Sequence, residues 1–99
     1  MWIPTTQALG TGFNTNKSST YDVTNKLYPI LYADGSRVLG YIGSDYVSVL
    51  NSPINVDNTV LFVFKEVDMS FPGGILGLVG MGYTDVPNFL DNAYTAGQI

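Results

Sequence analysis

Apolar and polar positions alternate most clearly between Tyr28 and Val49, and that alternation predicts one long two-stranded ribbon. Tyr28, Ile30 and Tyr32 occupy alternate positions on the rising side, and Val38, Tyr41, Tyr46, Val47 and Val49 supply the β-branched and aromatic content of the returning side. Ala33-Asp34-Gly35-Ser36 lies between them. Glycine accepts positive φ and aspartate can bond its own backbone, so these four residues predict a tight turn with a polar group and free backbone donors at its tip. A ribbon of this length is suited to act as a lid.

The rest of the chain divides around this ribbon. Met1-Trp2-Ile3-Pro4 reads as the tail of a strand, and Thr5 to Ser19 as a polar surface loop with one apolar anchor, Phe13. Asn51 to Asn58, containing Pro53, predicts a turn, and the apolar run from Thr59 to Phe64 a buried strand. Phe71-Pro72-Gly73-Gly74 breaks the chain before a second short apolar run, Ile75 to Val79. The last segment changes period. Thr84 or Asp85 can cap a helix with Pro87 in its first turn and Gly97 just past its end. Val86, Leu90, Ala93 and Tyr94, with Phe89 beside them, would form its apolar face. The chain therefore reads as mostly β with one short carboxyl-terminal helix, in a single unit over residues 1–99.

Composition narrows the chemistry. With 99 residues, 45% of them hydrophobic, the chain can fill one core, although a domain of this size leaves roughly a third of its chain surface exposed. No apolar run approaches the roughly 18 residues of a membrane-spanning helix, and the amino end lacks the layout of a signal peptide. Lys17, Lys26, Arg37 and Lys65 face eight carboxylates for a net charge of -4, which disfavours nucleic acid as a partner. The sequence holds no histidine and no cysteine, so thiolate and imidazole chemistry, their metal sites and disulfides are excluded. Carboxylate, tyrosine and lysine remain for acid-base work, and no cofactor is expected. Asn16-Lys17-Ser18 has the pattern of a glycosylation acceptor, which matters only in a secreted protein.

Five short segments, in order, resemble the amino-terminal lobe of pepsin-like aspartic proteases. Trp2-Ile3-Pro4 resembles the tryptophan-aliphatic-proline that follows the first catalytic Asp-Thr-Gly-Ser in that family. Phe13 to Tyr21, FNTNKSSTY, resembles its Ser-Ser-Thr loop. Tyr32 to Gly40, followed by Asp45-Tyr46-Val47, resembles the flap and its return strand. Gly74-Ile75-Leu76-Gly77-Leu78 resembles its Gly-Ile-Leu-Gly-Leu motif, and Pro87 to Ile99 the helix that ends near Gly-x-Ile. The resemblance implies a partial acid-protease β-barrel lobe with a long flap hairpin. It implies a fragment of an aspartic endopeptidase that hydrolyses peptide bonds in proteins, working in a secreted or lysosomal/vacuolar setting.

The resemblance also implies roles for particular residues. Tyr32 matches the flap tyrosine, and Trp2 matches the tryptophan whose indole N–H reaches that phenol. The turn backbone at Ala33, Asp34, Gly35 and Ser36 matches the groups that bond an extended peptide by strand addition. Ile30, Phe71 and Ile75 match positions that line the pocket for the residue before the cleaved bond, from which a preference for apolar side chains follows. The implied partners are an extended peptide or protein substrate and the remainder of the protease.

Departures from the pattern are equally specific. The family's chemistry uses two aspartates that share a proton, yet none of the seven aspartates here begins an Asp-Thr-Gly or Asp-Ser-Gly triplet. Both catalytic motifs are expected outside this stretch, with Met1 an internal residue, and the chain alone is expected to be inactive. Ala33 replaces a flap glycine, Gly73 stands where an acidic residue is common, one residue is added before Gly40, and a cysteine pair is missing. A retroviral-type homodimer, the other way to complete a one-lobed protease, fails because Asp34-Gly35-Ser36 has the wrong order and sits at a turn tip. A catalytically inactive, protease-like peptide-binding module is the alternative, and a purely structural β domain the third reading. Strands deprived of an earlier segment would leave edges unpaired.

Overall fold

The computed structural model describes residues 1–6, 12–68, 77–79 and 87–99. Strands β1 (Trp2–Pro4), β2 (Asp22–Leu31), β3 (Arg37–Ser48) and β4 (Asn55–Val67) form one sheet in the order β1-β4-β3-β2, and a helix, α1 (Phe89–Thr95), packs against it. β2, β3 and β4 are an antiparallel meander, whereas β1 runs parallel to β4, with Trp2 opposite Leu61 and Pro4 opposite Val63. Among the described residues no helix is long and apolar enough to cross a membrane.

The ribbon is longer than its apolar pattern implies. β2 begins at Asp22 rather than Tyr28, because its first half is an exposed edge where polar residues tolerate strand geometry without burial. A register shift between Val23 and Leu27 is held by Thr24, whose hydroxyl donates to the Ile42 carbonyl at 2.6 Å and accepts the Lys26 N–H at 3.2 Å. β4 likewise begins at Asn55, inside the segment expected to be a turn. Asn55 and Asp57 face solvent while Val56 and Asn58 are buried, so this is a strand whose polar alternation hid its period. In the β3–β4 pairing Leu39 faces Lys65 but Gly40 faces Val63, leaving Phe64 as the bulged residue. A Cβ on Gly40 would stand 2.3 Å from the Phe62 carbonyl oxygen, so only glycine lets the two strands approach this closely.

The two faces of the sheet carry different cores. Trp2, Val38, Leu61 and Val63 form one buried cluster, with Ile30 and Ile42 against it. On the opposite face Phe62 stacks on Phe13 and meets Tyr21 edge-on, at ring-centroid distances of 6.0 and 4.7 Å. Phe13 is thereby the anchor expected of the 5–19 loop.

Helix α1 covers a third cluster, in which Phe89 and Ala93 pack on Val56 beside Val47 and Ile54. The expected cap is corrected. Asn88 caps the helix: its side chain accepts the Asp91 N–H, and the Asp91 carboxylate accepts the Asn88 N–H. Pro87 therefore precedes the cap, and Thr84, Asp85 and Val86 lie outside the described residues. The apolar face is also rotated, with Leu90 and Tyr94 exposed, because the helix meets the sheet through its Phe89–Ala93 stripe. Gly97 follows the helix with φ +74°, as expected. Asn88→Ala is expected to lower stability by about 1 kcal/mol, measured by urea denaturation; an unchanged midpoint would show that the helix does not depend on this cap.

Candidate functional site

The turn between β2 and β3 is built by its own polar atoms. Tyr32 N–H donates to the Ser36 carbonyl at 2.9 Å, and Gly35 N–H to the Tyr32 carbonyl at 3.0 Å. Gly35 sits at φ +89°, which glycine adopts without a Cβ penalty. Asp34 Oδ1 accepts both the Ser36 N–H at 2.9 Å and the Ser36 hydroxyl at 2.6 Å. The Ser36 hydroxyl, then its N–H, favour the ionised carboxylate and hold the Asp34 pKa below its ordinary value. The expectation of free donors at the tip is thus narrowed: the Gly35 and Ser36 N–H groups already have partners within the turn. Ala33, Asp34 and Gly35 are exposed, while the Ser36 side chain turns inward and is buried.

Below the tip the chain brings two distant residues together. Trp2 Nε1–H donates to the Tyr32 hydroxyl at 2.8 Å across thirty positions of sequence. Trp2 is fixed by its surroundings, since it is 2% exposed within the Val38–Leu61–Val63 cluster and is paired through its backbone to Leu78 at 3.0 and 3.1 Å. The half-buried phenol lies one residue past the end of β2, where the buried indole donor holds it. Ile30 packs against the same cluster, on the face of the ribbon that carries Val38. Phe71 and Ile75 lie outside the described residues. Residues 77–79, the end of the segment containing Ile75, run antiparallel beside β1 through the Trp2–Leu78 bridge. The structure therefore gathers Trp2, Ile30, Tyr32 and the turn 33–36 at one end of the sheet.

Asp45 is the residue whose place the strand pattern did not foretell. It is buried in the middle of β3 and accepts the Ser18 hydroxyl at 2.6 Å, the Thr20 hydroxyl, and the Tyr46 N–H at 2.7 Å. Burial raises its pKa, but the Ser18, Thr20 and Tyr46 donors together outweigh burial and leave it lowered. The carboxylate ties the 15–20 loop to the return strand. The available signal was an acidic residue inside an apolar strand, which needs donors from elsewhere, together with a hydroxyl-rich Ser-Ser-Thr stretch able to provide them.

In this arrangement the polar groups fix one another's positions. Asp34 and Asp45 hold their carboxylates inside the turn and the loop clamp, and the tyrosine at the site is oriented by an indole. Two hollows of about 190 and 140 Å³ among the described residues lie elsewhere. The first is lined by Tyr21, Tyr41, Phe62 and Phe64 on the aromatic face, the second by Pro29, Arg37, Leu39 and Lys65. Neither lining includes Tyr32.

Comparison with known proteins gives the family. Residues 2–95 match the family model for eukaryotic aspartyl protease. The chain is 28% identical over 92 residues to Rhizopuspepsin-2 of Rhizopus niveus, covering 87% of this chain and 23% of that protein. It is 28% identical over 113 residues to Pepsin B of Canis lupus familiaris, covering 100% of this chain and 28% of that protein. With Rhizopuspepsin-3 of Rhizopus niveus it shares 32% identity over 76 residues, or 77% of this chain and 19% of that protein. The chain thus spans about a quarter of the length of the curated relatives it matches. A match that runs through β1, the ribbon, β4 and the closing helix without leaving a described element outside it shows that this chain belongs to the eukaryotic aspartyl protease family.

Proposed function

We propose that residues 1–99 form part of the amino-terminal lobe of a pepsin-like endopeptidase, in which the β2–β3 ribbon is the flap over an extended peptide. The observation that carries this reading is the 2.8 Å hydrogen bond from the buried Trp2 indole to the Tyr32 hydroxyl, in a chain of this family. A lid residue must hold a reproducible pose over a substrate, and a donor locked in the core provides that pose without adding flexible contacts. Tyr32 is then the residue that leans over the scissile bond. Ile30, with Phe71 and Ile75, lines the apolar pocket beside it. The exposed backbone of Ala33, Asp34 and Gly35, with Ser36 behind it, receives the peptide as an added strand. Since Gly35 and Ser36 N–H already bond within the turn, peptide capture exchanges those partners instead of filling empty ones. The catalytic aspartate pair belongs to sequence beyond these residues, and the chain by itself hydrolyses nothing.

A protease joined from this chain and flanking segments that each bear Asp-Thr-Gly or Asp-Ser-Gly tests the reading. Tyr32→Phe in that protein is expected to lower kcat/KM by up to about tenfold, the value of one hydrogen bond at the reacting centre, while leaving thermal stability within about 1.5 kcal/mol. Unchanged kcat/KM would remove Tyr32 from the cleft, and peptide hydrolysis by residues 1–99 alone would overturn the assignment of the chemistry to other segments. A second reading is a protease-like module that grips peptides without cleaving them, and it holds where either aspartate is replaced in the flanking sequence. It predicts peptide binding without turnover by the protein carrying its natural flanking segments.

A further inference from the structure

The triplet Asn16-Lys17-Ser18 lies in the loop that resembles the family's Ser-Ser-Thr segment but is used by neither the flap nor the cleft proposed above, and the fold gives it a specific setting. It begins within the single 3-10 turn Thr15–Lys17, whose cap Asn14 accepts the Asn16 backbone N–H at 3.1 Å. Asn16 and Lys17 are exposed, and the Asn16 carboxamide has no hydrogen-bond partner among the described residues. Two residues on, the Ser18 hydroxyl has the opposite character. It donates to Asp45 Oδ2 at 2.6 Å, next to Thr20, which bonds the other oxygen of the same carboxylate. Phe13 and Tyr21, at the two ends of this loop, are anchored on Phe62. The acceptor nitrogen is therefore open to solvent while the hydroxyl that completes the acceptor triplet is sequestered by the fold.

We propose that Asn16 is an N-glycosylation site that is used before the loop docks, and that docking of Ser18 on Asp45 then closes it as an acceptor. The donor is a lipid-pyrophosphate-linked oligosaccharide. Asn16 Nδ2 forms a bond to the anomeric carbon, the bond from that carbon to the pyrophosphate oxygen breaks, the electron pair leaves with the lipid pyrophosphate, and the amide proton passes to a base of the transferase. The transferase must hold the Ser18 hydroxyl during this step, and it cannot do so while Asp45 holds it. Once attached, the sugar stands in water at an exposed turn and displaces none of the Asp45 contacts, to which Asn16 contributes nothing. This inference rests on the secretory setting that the family resemblance implies, but not on any peptidase activity, so its test reads a glycan and not turnover.

The test is to produce the 99-residue chain behind a cleavable signal in a eukaryotic secretory host, scoring retained and secreted material alike. The expected result is a mass gain that peptide N-glycosidase removes, leaving aspartate at position 16 in the mapped peptide. Asn16→Gln should abolish the gain while keeping the Ser18–Asp45 bond, and Ser18→Thr should retain it. A chain without glycan overturns the site. In a second arm, microsomes charged with the lipid-linked donor are offered either the folded chain or a peptide of residues 12–21. The folded chain should be modified about tenfold less or lower still, the factor for opening one hydrogen bond to a charged group. Equal modification overturns closure by docking, and an unmodified peptide overturns the acceptor itself.

Discussion

Trp2→Ala is expected to lower stability by about 3–5 kcal/mol, the range for truncating a fully buried aromatic side chain. A chain of this size has only about 5–15 kcal/mol in total, so this one change removes roughly a fifth or more of it. The indole is 2% exposed among Val38, Leu61 and Val63, and its N–H is bonded to Tyr32, so truncation opens a cavity and frees the phenol together. Urea denaturation followed by far-UV circular dichroism measures the loss without relying on the fluorescence of the only tryptophan in the sequence. Trp2→Phe separates the two effects, because it keeps part of the ring and deletes the donor. Combined with Tyr32→Phe in a double-mutant cycle, it should yield a coupling of about 0.5–1.5 kcal/mol. A Trp2→Ala cost below about 1 kcal/mol, the scale of an ordinary surface change, would show that the cluster does not depend on this residue.

Asp45→Ala should have the second-largest effect, a loss of about 2–4 kcal/mol, from the class of hydrogen bonds made to a charged acceptor. It strands two hydroxyls and the Tyr46 N–H, and it releases the 15–20 loop from the return strand. The pH dependence follows from the lowered pKa. The folded-state value lies below that of an unfolded aspartate, about 3.9. The contribution is therefore complete above that pH and is lost as pH falls through the folded-state value. Midpoints measured from pH 7 downward should show wild type and Asp45→Ala well separated at neutral pH and converging in acid. A separation independent of pH would mean that the carboxylate charge contributes nothing. Asp34 is also lowered, but it is present in both proteins and cancels from the comparison.

Several elements were legible because local chemistry and tertiary context agree. Ala33-Asp34-Gly35-Ser36 specifies its turn through Gly35 and the Asp34–Ser36 bonds, which need nothing from the rest of the molecule. The apolar run at 59–64 is strand in either context, and Gly97 ends its helix at positive φ. Of the candidate site, the ribbon pattern places Ile30, Tyr32 and the turn 33–36 in one hairpin, and the family resemblance alone gave them site roles. Trp2 was tied to them by the family resemblance of the motifs, since thirty intervening residues leave no local signal.

By itself, then, the sequence determined the strand-rich class, the ribbon and its turn, and a closing helix, which rest on side-chain period or on residues with narrow backbone preferences. It pointed to the family through the resemblance of five ordered motifs. Only the tertiary structure decided where β2 and β4 begin, because the polar residues of Asp22–Lys26 and Asn55–Asp57 become strand through pairing with β3 and not through their own pattern. The same holds for the helix. Asn88 and Asp91 cap each other once formed, and contact with Val56 selects Phe89 and Ala93 over Leu90 and Tyr94 as the buried stripe. Asp45 is the sharpest instance: a carboxylate is buried in a strand only when donors distant in sequence converge on it, and that convergence is a property of the fold.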